Sequence, residues 1–185
     1  MKNTKFELTS EKNNFGEFRI RALCDFGDVK KGDLGGFVDS ESCLDANPED
    51  LSWIYDNSRV CNGSRVYNNS RVCNGSYVDN NSCVYSSIVY NSSVENSFMY
   101  ESIATINTMS ISGQMWDITF TDDKIKIGCQ NHTHEEWRNF TDEEISSMHD
   151  DALSWWNKWK GIILSLSIMH KQKVQDAKHE NIAIK

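Results

Sequence analysis

The sequence predicts a mainly β chain: a coil of short stacked strands, closed below by a hairpin and followed by helices. Three observations lead there. The stretch 54–83 repeats every six residues. The stretch 6–23 holds two short alternating apolar runs. The stretch 133–169 carries two helix-start signatures and a row of apolar residues spaced three and four apart.

The elements follow in chain order. Phe6-Glu-Leu8 and Phe18 to Leu23 predict the strands of a hairpin, with Asn14 and Gly16 near its turn, so residues 1–35 form an N-terminal cap. In Lys31-Gly-Asp-Leu-Gly-Gly, the glycines Gly32, Gly35 and Gly36 match neither a dinucleotide nor a triphosphate-binding loop. They are expected to let the chain enter the first coil. The hexads then read Ile54-Tyr-Asp-Asn-Ser-Arg, Val60-Cys-Asn-Gly-Ser-Arg, Val66-Tyr-Asn-Asn-Ser-Arg, Val72-Cys-Asn-Gly-Ser-Tyr and Val78-Asp-Asn-Asn-Ser-Cys. Valine and isoleucine suit flat strands, and Asn-Gly or Asn-Asn suits corners at positive φ. The aliphatic and the serine are expected to face a narrow interior. The second and sixth positions are expected to face outward. Asp45 to Asp50, with the only proline, Pro48, reads as an inserted corner loop.

Beyond Ser82 the period shortens. Ser82, Ser87, Ser92, Ser97 and Ser102 are five apart, as are Val84, Val89, Val94, Met99 and Ala104. This section resembles the pentapeptide-repeat proteins, which wind as a square right-handed helix. Since one chain does not readily reverse hand, tightened corners within a single coil over residues 36–114 are expected instead. Trp116 to Phe120 and Lys124 to Ile127 then alternate as paired strands around Thr121-Asp-Asp123, within a cap spanning 115–140. Thr133-His-Glu-Glu136 and Thr141-Asp-Glu-Glu144 have the form of capping boxes, so a helix should start at each.

The second helix, in residues 141–185, carries Ile145, Met148, Ala152, Trp155, Trp159, Ile162, Leu166 and Met169 at the spacing of a coiled-coil seam. Such a helix either folds back as a lid or joins copies of the chain. Three tryptophans (Trp155, Trp156, Trp159) are a large apolar load for a lid on a thin coil and favour a homo-oligomer, a dimer or trimer. Ile145, Met148, Trp155, Trp159, Ile162 and Leu166 are its candidate interface. The charged tail from Lys171 is expected to fray.

Beyond the repeats, Phe6-Glu-Leu8, Arg19-Ile-Arg-Ala-Leu23, Asp25 to Phe37 and Ile127 to Trp137 carry a wider likeness. To about Trp137 the chain resembles a family of small phage and prophage proteins described as polymer-forming or hexapeptide-repeat proteins. The resemblance implies a single-stranded left-handed parallel β-helix with three hexads per turn. It also implies that Cys61 and Cys73 lie on different faces. The family has no uniform activity.

Chemistry is sparse. Hexapeptide-repeat acyltransferases place a catalytic histidine between coils. All five histidines here, His132, His134, His149, His170 and His179, follow the repeats. Cys129, His132 and His134 could ligate zinc, but no fourth ligand is evident. A buried Cys129 and histidines flanking a helix start are the simpler expectation. No enzymatic activity, cofactor or metal is expected. The six cysteines lack a disulfide-framework spacing, the start lacks a long apolar stretch, and no apolar run reaches the ~20 residues of a membrane span. A cytoplasmic protein of the bacterial host, free of the membrane, is expected.

The net charge of −8 argues against direct binding of bare DNA. Arg59, Arg65 and Arg71 read as a basic row, and with Tyr67, Tyr77 and Tyr85 they form the candidate interaction surface. At eighteen residues per turn Arg59 lies beneath Tyr77, and a cation–π contact should follow. The functional expectation is a non-enzymatic, phage-encoded interaction protein. It would inhibit a host nucleic-acid-handling or defence protein, as an anti-CRISPR-like factor does. The alternative is an acyltransferase-like or small-ligand (nucleotide) binding oligomer.

Overall fold

A computed structural model describes residues 3–112 and 114–183, with side chains to His179. Strands β1 (Phe6–Lys12) and β2 (Phe18–Ala22) form the expected hairpin, turning through Gly16 at φ 83°. β2 pairs antiparallel with β3 (Leu34–Val38), which in turn pairs parallel with the first coil strand of its face. The hairpin therefore closes the base by continuing one face of the coil as antiparallel strands. Gly35 and Gly36 make this entry possible. A Cβ on Gly35 would sit 2.6 Å from Ile20 and 2.7 Å from Trp53, and one on Gly36 would meet the Ser58 carbonyl.

The coil is a β-solenoid of about three turns. Its strands are β4 (Trp53–Ile54), β5 (Arg59–Val60), β6 (Arg65–Tyr67), β7 (Arg71–Cys73), β8 (Tyr77–Asp79), β9 (Cys83–Tyr85), β10 (Ile88–Tyr90), β11 (Ser93–Glu95), β12 (Phe98–Tyr100) and β13 (Ile103–Ala104). They stack parallel into three faces: β3-β5-β8-β11, β4-β7-β10-β13 and β6-β9-β12. Val60, Val66, Val72, Val78, Val84, Val89, Val94, Met99 and Ala104 are fully buried in one core, together with the repeat serines.

The serines form a continuous ladder. Each repeat serine from Ser70 onward donates its backbone N–H to the Oγ of the serine one turn below. The loop length in that ladder falls steadily: eighteen residues at Ser52–Ser70, Ser58–Ser76 and Ser64–Ser82, seventeen at Ser70–Ser87, sixteen at Ser76–Ser92, and fifteen at Ser82–Ser97. The three-faced order persists throughout, so the pentads tighten the corners of one coil and do not build a square one. The corners show how. Four hexad corners place two residues at positive φ, as at Asn68–Asn69 and Asn80–Asn81, while the first has Asp56 alone. Pentad corners need one, at Ser86, Asn91, Asn96 and Glu101. The serine Oγ accordingly shifts from the carbonyl three residues back (Ser70 to Tyr67, 2.7 Å) to the one two back (Ser97 to Glu95, 2.7 Å).

Carboxylates from the lowest turn clasp corner amides above them. Asp39 accepts from Asn62 N (2.7 Å), Asp50 from Asn68 N (2.5 Å) and Asp56 from Asn74 N (3.3 Å). The insertion around Pro48 is thereby tied to the coil through Asp50. Lys5, wholly buried, reaches the same carboxylate at 3.4 Å.

Above the coil stands an antiparallel sheet of β14 (Met109–Ile111), β15 (Ile118–Phe120), β16 (Lys124–Ile127) and β17 (Gln130–Thr133). Only β15 and β16 are expected from the sequence, and β14 falls in residues assigned there to the repeats. The β15–β16 turn covers the open coil edge: Asp122 N donates to Ile103 O, Ile103 N to Asp123 Oδ1 and Thr105 N to Asp122 Oδ2, at 2.9–3.0 Å. This satisfies strand groups that would otherwise be bare.

Helices α1 (His134–Asn139) and α2 (Asp142–Met148) begin at Thr133 and Thr141 with both expected capping boxes. The expected single second helix is corrected. α2 stops at Met148, and α3 (Ala152–Ala183) starts after His149–Asp151. The expected fraying from Lys171 is also corrected, because α3 continues and Val174 is buried. β15 and β16 pack with all three helices in a second core that includes Phe120, Trp137, Ile145, Trp156 and Ile163.

Candidate interaction surface

The structure distributes the three arginines over three faces, because successive hexads occupy successive walls: Arg59 is on β5, Arg65 on β6 and Arg71 on β7. The expected basic row does not exist. Arg59 does lie beneath Tyr77, its Cζ 4.6 Å from the ring centroid, but Phe15 covers its other side at 3.9 Å. Its Nε donates to Glu17 Oε2 at 2.6 Å. Burial pushes the Glu17 carboxyl up, yet hydrogen bonds from Arg59 and Asn13 outweigh it and hold the group below its ordinary value. Tyr77 donates to Asp79 at 2.6 Å, and Asn62 donates to the other oxygen of Asp79. Cys61 and Asp79, expected to face outward, are buried in this cluster. Arg71 pairs with Asp28 (3.0 Å) above the Tyr55 ring, and Tyr55 donates to the same carboxylate. Arg59 and Arg71 thus brace the hairpin and the following loop to the coil, the first half-buried and the second exposed.

Arg65 is different. It is exposed and makes no ion pair among the described residues. Its wall carries Tyr67, Tyr85 and Tyr100 in register. Tyr67 meets Tyr85 edge to face at 5.0 Å, and Tyr85 stacks on Tyr100 at 5.1 Å. All three remain half-buried.

The wall β4-β7-β10-β13 holds a surface that the expected set omits. Ile88 and Ile103 are register partners on adjacent rungs, 43% and 42% exposed, and Tyr90 beside them is 48% exposed. The signal was present in the sequence: in these pentads the residue after the serine, normally polar in the hexads, is isoleucine.

Of the candidate oligomer interface, Ile145 and Trp155 are buried in the second core, and Met148, Trp159 and Leu166 pack partly against it. Ile162 faces solvent, with 51% of its surface exposed. The helix folds back on its own sheet through Ile163, Ser167, His170 and Val174, one step round from the expected seam.

His134 and His170 are buried, and His132 is half-buried. His134 Nε2 contacts Thr121 O at 2.9 Å and Nδ1 contacts Ser167 Oγ at 2.7 Å. This serine–histidine pair is buried. His170 stacks on His134 at 6.2 Å, and burial lowers the basicity of both rings. His132 packs between Trp137 and Phe140. Cys129 is exposed, not buried as expected, and is not gathered with His132 and His134. Among the described residues no group of three or more His, Cys, Asp or Glu is placed to hold a metal, and no helix is long and apolar enough to cross a membrane.

Solenoid and cap together define a β-solenoid with its outer walls available for contact. A scan against protein-family models gave no match to the chain, and a search of curated proteins gave none either.

Proposed function

We propose that the protein is a non-enzymatic interaction protein whose solenoid wall docks on another protein. The observation that carries this is the Ile88–Ile103 column with Tyr90: contiguous, apolar and exposed on a rigid sheet. Single exposed apolar residues are ordinary, but aligned ones on a fixed wall mark a contact surface. The net charge of −8 and the exposed carboxylates Asp142, Glu143, Asp150 and Asp151 favour a basic partner. In the reading that the phage-family resemblance supports, that partner is a host nucleic-acid-handling or defence protein, and binding inhibits it within the host cytoplasm.

The test is affinity capture from host lysate with the natural chain and with Ile88→Glu/Ile103→Glu. Both side chains lie on the surface, so the variant should keep its circular dichroism spectrum. The expected result is capture of a basic, nucleic-acid-handling protein by the natural chain, with at least tenfold less by the variant, and weakening as salt rises. Equal capture by both chains overturns the proposal.

A further inference from the structure

The cap contains a cavity that its own side chains leave unfilled. It lies where the chain breaks between α2 and α3, and Met148, His149 and Ala152 border it. Trp116, Trp137, Trp155 and Trp156 line it as well. Gly128, at φ 56°, admits Trp116: a Cβ there would stand 2.9 Å from the indole ring. That ring packs edge to face on Trp155 at 5.2 Å. The free volume is about 70 Å³, and it opens to solvent beside the exposed Cys129 and His149. A closed apolar cavity of about 150 Å³ encloses benzene. The smaller, open space here takes one flat group edge first and leaves the rest of the molecule outside.

Two donors of these walls are unmatched. The indole N–H groups of Trp155 and Trp156 are buried and have no acceptor among the described residues. Trp137 gives the contrast, because its Nε1 donates to Ile125 O at 2.7 Å. A buried donor left unpaired costs about 1–3 kcal/mol. An acceptor carried in by a ligand therefore gains more here than it would in water.

We propose that this cavity binds a small, neutral, planar compound whose carbonyl oxygen accepts from the indole of Trp155 or Trp156. Aromatic walls favour a flat apolar body, and a few placed polar groups fix its orientation. Unmatched N–H groups call for an acceptor and oppose a cation. Asp150 and Asp151, exposed beside His149, oppose a carboxylate. The site goes beyond the function proposed above, since it lies in the cap and needs no part of the solenoid wall.

Acetophenone and α-methylstyrene, which has the same outline without the oxygen, test this on the full chain. The six tryptophans give six indole N–H signals in a nitrogen–proton correlation spectrum. Acetophenone should move the Trp155 or Trp156 signal downfield and saturate below about 1 mM, within reach of a ligand this small. The Trp53 signal should stay in place, because that ring lies in the coil core. α-Methylstyrene should bind about tenfold more weakly or worse, having no acceptor to offer. Benzoate and benzyltrimethylammonium should also bind more weakly than acetophenone. Ala152→Leu, which fills the cavity from the start of α3, should abolish the shift with circular dichroism unchanged. If that variant fails to fold, the probe series on the natural chain decides alone. The proposal is overturned by the absence of a saturable shift at Trp155 and Trp156, or by equal binding of α-methylstyrene. Tighter binding of either charged probe also overturns it, as does undiminished binding to a folded Ala152→Leu chain.

Discussion

Arg59 stacks beneath Tyr77 one turn above and pairs with Glu17 of the N-terminal hairpin, so one guanidinium joins cap and coil. The Glu17 side chain is almost wholly buried, and its carboxyl ionises below the ordinary value. A carboxyl depressed in the folded state stabilises fully above its unfolded pKa of about 4.3, and loses that contribution as pH falls through the folded value. Glu17→Gln should therefore cost about 3 kcal/mol at pH 7, the low end for a broken buried pair because Arg59 stays partly exposed. It should also flatten the decline in stability below pH 4.3, as urea denaturation across pH would show.

Removing the top clasp should expose a sheet edge. Asp122→Ala/Asp123→Ala leaves Ile103 N and Thr105 N without acceptors. A loss of about 1–3 kcal/mol per group is expected. Concentration-dependent aggregation should accompany it, read by light scattering during thermal unfolding.

Ser82→Ala tests the ladder. Ser82 Oγ accepts from Ser97 N and donates to Asp79 O, all in the interior. The alanine variant buries an amide with no acceptor and should lose about 2 kcal/mol in chemical denaturation. An exposed control, Ser146→Ala, should change little.

Glu101 holds φ 45° at a single-residue corner where Asn91 and Asn96 occupy the equivalent places. Asparagine tolerates that conformation better than glutamate. Glu101→Asn should raise stability by about 0.5–1 kcal/mol, seen as a higher denaturation midpoint with unchanged slope.

Much of this fold is legible because the serine–aliphatic pair is a local rule with one structural meaning. Each Ser-x-Val places two side chains inside, and the shortening of the period is visible as a shift from two corner residues to one. Thr133 and Thr141 announce their helices for the same reason: a capping box is made within four residues. The break at His149–Asp151 was hidden because Met148 to Ala152 keeps the seam spacing across it. β14 was hidden because Met109 to Ile111 continues a chain of short extended segments, and its change to an antiparallel partner is a long-range choice. The surface was the least legible. Arg59 looks like a solvated outer residue until the hairpin, forty-two positions away, is seen to supply Glu17 and Phe15. The Ile88–Ile103 column needs the fifteen-residue register to bring its members together.

The contraction from eighteen to fifteen residues around the column gives it a broad end and a narrow end. A shaft tapered in this way has an intrinsic terminus. Duplicating an eighteen-residue turn near the base lengthens it with matched circumferences, whereas the same insertion near the tip forces a wide ring onto a tight one. Evolutionary or engineered elongation is thereby confined to the lower storeys, and the acidic turn at the summit always finds the same small aperture to close.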